Sequence, residues 1–388
     1  MSRVKPPGAL IDARQQGFAC ETGFGTLIRR RLDHERLGLD RLTFTRFVAA
    51  FWVVVFHFGG AAWPFNVPPL SWLTHHGPTA VSYFYCLSGF IMTVVHGPAA
   101  APGFSRAAFW RARAARIVPV FLLTLWLAFA LSPRREWPDL LWPLAGLQAW
   151  RQSAWGTLNP PAWSISVELF FYALFPWLRL GFAPERLRVA GVAVAVFWLV
   201  SQAVHAALLD GKPVEGTALH DWAFYNPLLH LNQFLCGMWA GAAFLHRRAL
   251  VGRVARPRLA LAVLVLALAA HPGVGPGGLL PFQFTNGLAA PLFLWAIVSL
   301  AAGDGAFRRM AGPGGRLLGE ASYAVYLLQF PVWIGLAMVW PGVSAVSPTV
   351  RFWLFFALLV ALSVAVFRGF ERPARAWLRG RPRAEGGA

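Results

Sequence analysis

Ten apolar runs separated by turn signals fill the chain from residue 42 onward. A run of membrane length constrains a fold more than any other local pattern, because its backbone must satisfy its own hydrogen bonds in lipid. The runs cover about 42–60, 79–96, 117–132, 163–180, 187–208, 222–245, 258–271, 288–303, 317–340 and 350–368. They predict an all-α, polytopic integral membrane bundle of about ten transmembrane helices. The segment 139–150, DLLWPLAGLQAW, is only 12 residues long and is broken by Pro143. It is too short to span and reads as re-entrant or interfacial.

Composition agrees with this reading. Hydrophobic residues make up 57% of the chain and charged residues 13%, against about 25% charged in soluble proteins. The 19 Trp and 32 Phe suit lipid interfaces and bundle cores. The net charge of +19 raises the question of nucleic acid, and its distribution answers it. With both termini cytoplasmic, 29 of the 35 Lys and Arg fall on inside segments and five on outside segments, and Arg46 lies within the first span. That asymmetry follows the positive-inside rule. The basic excess is a topology and anionic-lipid signal, so membrane lipids are expected partners and nucleic acid is not. Counting 139–150 as a span would invert everything after it and destroy the bias.

Three regions are expected: a basic, loosely ordered cytoplasmic tail over 1–41, a membrane domain over 42–375, and a short cytoplasmic tail over 376–388. The first 41 residues lack the apolar core of a cleavable signal peptide. Cys20, Cys86 and Cys236 are scattered and odd in number, so they imply no disulfide framework. No HExxH, CxxC or clustered carboxylate set is present, which argues against a metal site. Phosphate-loop and GxSxG signatures are missing too.

Polar residues inside the apolar runs carry the functional signal, because an ionisable side chain in a membrane helix costs roughly 2.5 kcal/mol or more unless it faces protein, water or a partner. Arg46 and His57 share the first run, LTFTRFVAAFWVVVFHFGG. Their spacing puts both on one helix face, about 16 Å apart along the axis. Two readings stand. The pair lines a cavity, or Arg46 snorkels to the head groups while His57 packs against its neighbours. The topology places Glu168, in WSISVELFFYALFPW, at the depth of His57 below the outer face. A carboxylate at that depth is a natural orienting partner for an imidazole base, and equally a structural ion pair. Arg111, Arg113 and Arg116, in FWRARAARIVP, lie at the cytoplasmic face. There they suit a phosphate group or a positive-inside anchor. Polar stripes at helical spacing, Asn226–His230–Gln233–Gly237 and Ser322–Tyr323–Tyr326–Gln329, fit a lined space or interhelical hydrogen bonding equally well.

At this point the residues carry a resemblance. LDRLTFTRFVAAFWVVVFH (39–57), AVSYFYCLSGFIMT (80–93), FWRARAARIVPVF (109–121), WSISVELFFYALFP (163–176), LGEASYAVYLLQFPV (318–332) and FERPAR (370–375) occur in order. Together they resemble the acyltransferase type 3 family, ten-span bacterial membrane enzymes that O-acylate cell-surface glycans. The resemblance implies His57 as the catalytic histidine with Arg46 as its partner. It implies Glu168 as the carboxylate of the WSxSVE block, and Arg113 and Arg116 as contacts to acyl-CoA, with Arg111 beside them. It further implies acyl-CoA, acetyl-CoA by default, as co-substrate with no bound cofactor. A glycan or lipid-linked sugar is the implied acceptor, and the bacterial inner membrane the implied location. This chain departs from the family where Leu169 follows Glu168, since a second carboxylate is often found there. Gln329 likewise stands where His often occurs. The oxyanion partner is open between Tyr172 and Ser166. The rival class is a proton-coupled transporter or flippase, which suits ten spans and an intramembrane Arg–His pair just as well.

Overall fold

The computed structural model describes residues 39–379, apart from 99–102, 134–135, 152–155, 157, 211–212, 272–285, 304–306, 308–309 and 311. Of the two expected tails, residues 1–38 and 380–388 lie outside the described residues. Every regular element is helical, and no strand occurs among the described residues. In order they are α1 Leu39–Phe58, α2 Gly77–His96, α3 Arg106–Leu131, α4 Pro138–Leu144, α5 Trp163–Leu178, α6 Leu187–Asp210 and α7 Ala218–Tyr225. There follow α8 Pro227–His246, α9 Arg248–Val254, α10 Pro257–Ala270, α11 Ala290–Ala302, α12 Pro313–Val339, α13 Pro348–Val366 and α14 Arg372–Arg379.

A helix forms at each of the ten predicted apolar runs. Seven stretches are long and apolar enough to cross a membrane: α2, α3, α5, α6, α7 with α8, α12, and α13 with α14. The chain is a multi-pass membrane protein. The helices α10 and α11 are shorter, at 14 and 13 residues, against about 20 for a full span. The first helix already contains residues 39–41 and α14 contains 376–379, so helix extends into both segments read as tails.

The segment 139–150 does not span. It folds as α4 and the 3₁₀ turn Gln148–Trp150, turned back against α5. Gln148 Nε2 donates to the Ala162 carbonyl at 2.7 Å, and Ser166 Oγ donates to the Gly146 carbonyl at 2.6 Å. Irregular backbone in this segment is thereby satisfied by protein groups.

Small residues bring the central helices together. A Cβ on Gly237 would lie 2.1 Å from the Cys86 carbonyl oxygen, and one on Gly89 would lie 2.1 Å from that of Phe234. The α2–α8 contact is therefore backbone on backbone, as small-residue stripes allow in lipid. Gly319 does the same for α12 against Thr43 of α1. Cys86 and Cys236 are buried free thiols at the α2–α8 contact.

Two prolines inside helices vacate carbonyls that side chains then fill. Pro331 has no N–H for the Leu327 carbonyl, which accepts from Asn159 Nδ2 at 3.0 Å. Pro176 likewise frees the Tyr172 carbonyl, which accepts from Trp110 Nε1 at 3.0 Å. Each bond ties a spanning helix to another part of the bundle beside the site described next.

Candidate active site

A cavity of about 220 Å³ opens between α1, α2, α3, α5 and α12. Helical spacing supplies its walls. Leu39, Thr43 and Arg46 line it from α1, Arg113 and Arg116 from α3, Glu168 and Tyr172 from α5, and Ser322, Tyr323 and Tyr326 from α12. The face given by α2 is mostly apolar, with Val81, Leu87, Ile91 and Met92.

The charges are unequal. Three guanidinium groups meet one carboxylate, so the cavity carries a net positive charge suited to an anionic ligand. Tyr172 Oη donates to Glu168, and the Arg113 guanidinium stands 5.8 Å from the Tyr172 and Phe109 ring centroids. Glu168 and Arg116 both act electrostatically on Arg46. The predicted residues Arg46, Arg113, Arg116 and Glu168 are thus gathered in one place. Arg111 is not; it is exposed and outside the cavity lining.

His57 lies elsewhere. Above Arg46 on α1, Ala49, Ala50, Val53 and Val54 are buried in the bundle, and the cavity does not reach the imidazole. Tyr326 is the last cavity residue on α12, and Gln329 stands three residues, about 4.5 Å, further along the axis. His57 Nδ1 is 2.8 Å from Gln329 Oε1. Its ring is flanked by Phe56, Phe58 and Phe330, at centroid distances of 5.0, 5.9 and 5.0 Å. Tyr326 lines the cavity, its hydroxyl donating to the Pro161 carbonyl at 3.0 Å and meeting Ser164 Oγ at 2.9 Å.

This geometry corrects two sequence expectations. Glu168 is not the partner of His57: its carboxylate accepts from Tyr172 and faces the arginines, while Gln329 holds the imidazole. Similar depth on two helices does not make them neighbours, and α5 packs on α3 and α8. Both hydroxyls offered as oxyanion donors already have acceptors. The Tyr172 hydroxyl is engaged by Glu168, and Ser166 Oγ is committed to the Gly146 carbonyl.

Sequence reasoning left both polar stripes open, and the structure separates them. The α12 stripe lines the cavity with Ser322, Tyr323 and Tyr326 and meets His57 with Gln329. The α8 stripe is a buried network. Asn226 caps α8, His230 Nε2 donates to the Phe224 carbonyl at 3.0 Å, and Gln233 Nε2 meets His230 Nδ1 at 3.2 Å. Sequence reasoning also passed over Glu371. It is fully buried, bonds to Arg375 across one turn, and acts electrostatically on Arg46. No group of three or more His, Cys, Asp or Glu that could hold a metal ion occurs among the described residues.

The family described as an acyltransferase domain matches residues 39–368, a stretch that contains both the arginine cavity and His57. The chain belongs to the acyltransferase type 3 family. Acyltransferase MdmB of Streptomyces mycarofaciens is 30% identical over 290 residues, which cover 67% of this chain and 69% of that one. No solved structure matches the chain. The protein is a membrane acyltransferase of the class that transfers groups other than aminoacyl. Within this acyltransferase, the family match contains the first five sequence blocks and ends just before the sixth, FERPAR (370–375).

Proposed function

We propose that this acyltransferase moves an acyl group, acetyl by default, from cytoplasmic acyl-CoA to a hydroxyl of a cell-surface or lipid-linked glycan. It does so from the bacterial inner membrane, with ten spans and both termini inside. The observation that carries the reading is the cavity with three arginines and one carboxylate, set beneath a histidine on the same helix as Arg46. The positive-inside bias puts the arginines toward the cytoplasm, where acyl-CoA is made, and His57 toward the outer face.

In this mechanism Arg113 and Arg116, with Arg46, bind the donor phosphates through charge-assisted hydrogen bonds. The pantetheine arm then rises along the cavity. Tyr326 must swing aside for the thioester to reach His57. His57 takes the acceptor hydroxyl proton as the oxygen attacks the thioester carbonyl carbon. The tetrahedral intermediate collapses, the C–S bond breaks, and the CoA thiolate recovers that proton from the imidazolium. Products are the O-acyl ester and free CoA. Glu168 offsets part of the arginine charge and orders Tyr172 and Arg113.

The test uses membranes carrying the full chain, radiolabelled acetyl-CoA, and total surface glycan as acceptor. Label in ester-linked glycan with stoichiometric CoA release, both lost on His57→Ala, is the expected result. Glycan or donor movement without CoA release would sink the acyl-transfer reading in favour of a carrier.

A further inference from the structure

We propose that Gln329 is the positioning residue of His57. Its amide fixes the imidazole as the Nδ1–H tautomer and leaves Nε2 as the proton-accepting atom. This rests on the reading of His57 as the general base and says what holds that base in register.

The argument begins below the amide. Gln329 Nε2 lies 2.6 Å from the Tyr326 carbonyl oxygen. Two carbonyl oxygens cannot share a hydrogen bond, so the NH₂ end of the amide faces the main chain. The oxygen end therefore faces His57 Nδ1, 2.8 Å away. A carbonyl oxygen needs a donor, so Nδ1 carries the proton and Nε2 keeps its lone pair. A glutamine free in water could flip and reverse this logic. Gln329 has no such freedom, because it is fully buried. The helix beneath it is pinned as well, since Asn159 holds the Leu327 carbonyl that Pro331 leaves vacant.

The ring itself has little room. Phe56, Phe58 and Phe330 border it, and Trp333 and Phe355 stand behind Phe58 at 4.8 and 4.9 Å. The elements packed against α1 are α2, α11, α12, α13 and the turn Ser71–Thr74. Their titratable groups are Tyr83, Tyr85, Cys86 and His96 on α2, Arg316, Glu320, Tyr323 and Tyr326 on α12, and Arg351 on α13, whose guanidinium stands 5.5 Å from the Trp333 ring centroid. His75 and His76 follow the turn. On α1 itself the nearest charge is Arg46, about 16 Å below along the axis. None of these bonds to the imidazole; Gln329 does. The orienting group is thus neutral. It directs the ring but adds no negative charge to stabilise an imidazolium, unlike the carboxylate expected from the sequence.

Two substitutions and one spectrum test this. Gln329→Met keeps the volume and removes the acceptor. Its transfer rate should fall roughly tenfold to a hundredfold, the share of a misdirected general base, with the donor KM unchanged. Gln329→Glu restores an acceptor and adds charge. It should keep activity while the acidic limb of its rate–pH profile moves up by about one pH unit or more. A residue that only fills space would move neither the kcat–KM split nor the profile. Variants that both match the intact protein in rate and profile would overturn the proposal. Histidine-labelled full-length protein in bilayers, studied by solid-state NMR, reads the tautomer without substituting Gln329. His57 should show the Nδ1–H form, and an Nε2–H form would overturn the proposal even if transfer is seen. Absence of transfer in the intact protein would instead count against the acyltransferase mechanism, and the tautomer would still be readable.

Discussion

The arginine cavity and the His57 niche sit one above the other on α1 and α12, and they are built on opposite principles. The cavity gathers Arg46, Arg113 and Arg116 around Glu168 and carries an excess of positive charge. The niche holds its imidazole with an uncharged amide and encloses it in aromatic rings. Charge that would help bind a polyphosphate would hinder a neutral base, because cations lower the tendency of an imidazole to take a proton. Separating the two along a helix lets each work. On the proposed mechanism, the difference teaches that binding and proton transfer are assigned to different depths, joined by α1 and α12.

The largest expected effect lies in the niche. His57→Ala should lower the rate of acyl transfer by roughly 10²–10⁴-fold, the usual worth of a general base. Donor affinity should be unchanged, because the imidazole does not line the cavity. Rate and donor binding measured on the same membranes check this. A matching loss of donor binding would show that the two regions are one site.

The cavity should respond in the opposite sense. Replacing Arg113 or Arg116 by Ala removes charge-assisted hydrogen bonds worth roughly 1.5–3 kcal/mol. The donor KM should rise by about ten- to a hundredfold, with kcat nearly preserved and a shallower salt dependence. Arg111→Ala, which alters an exposed side chain outside the lining, is the control and should leave the donor KM nearly unchanged. Equal effects at all three positions would reduce the cluster to a topology signal.

Glu168→Gln is a sharper discriminator with a smaller effect. It removes a charge from the cavity while keeping a partner for Tyr172. Donor binding should change by less than about tenfold, or about 1.4 kcal/mol. The rate–pH profile should stay in place, since Glu168 does not touch His57. A profile displaced toward lower pH would restore the carboxylate–imidazole pairing that the sequence suggested.

That pairing shows where the sequence stops being legible. Apolar runs located the helices, because burial in lipid imposes its period on every residue of a span. The positive-inside bias supplied an expected depth for Glu168 and His57. Depth is one coordinate of three. Which helices are neighbours follows from close backbone approach at Gly89, Gly237 and Gly319, and no local pattern reports the partner of a glycine. Gln329 was visible on a polar stripe, yet its meeting with His57 joins residues 272 positions apart. The Arg113–Arg116 pair was easier, since both lie on one face of α3 and need only a single helix to be right.

Tyr326 divides the two regions and gives the smallest effect. Its hydroxyl bonds to the Pro161 carbonyl and Ser164 Oγ, and Ser164 Oγ also bonds to that carbonyl at 3.0 Å. Tyr326→Phe therefore removes a latch without stranding either partner. The cost should be about 1 kcal/mol, one net hydrogen bond, seen as a fall of about 2–4 °C in apparent melting temperature. The transfer rate should stay within roughly threefold, under 1 kcal/mol of barrier, because the substitution keeps the ring that lines the cavity. Loss of transfer with donor binding intact would mean that the hydroxyl touches the reacting atoms. The boundary between cavity and niche would then belong to the chemistry, and Tyr326 would join His57 as a catalytic residue.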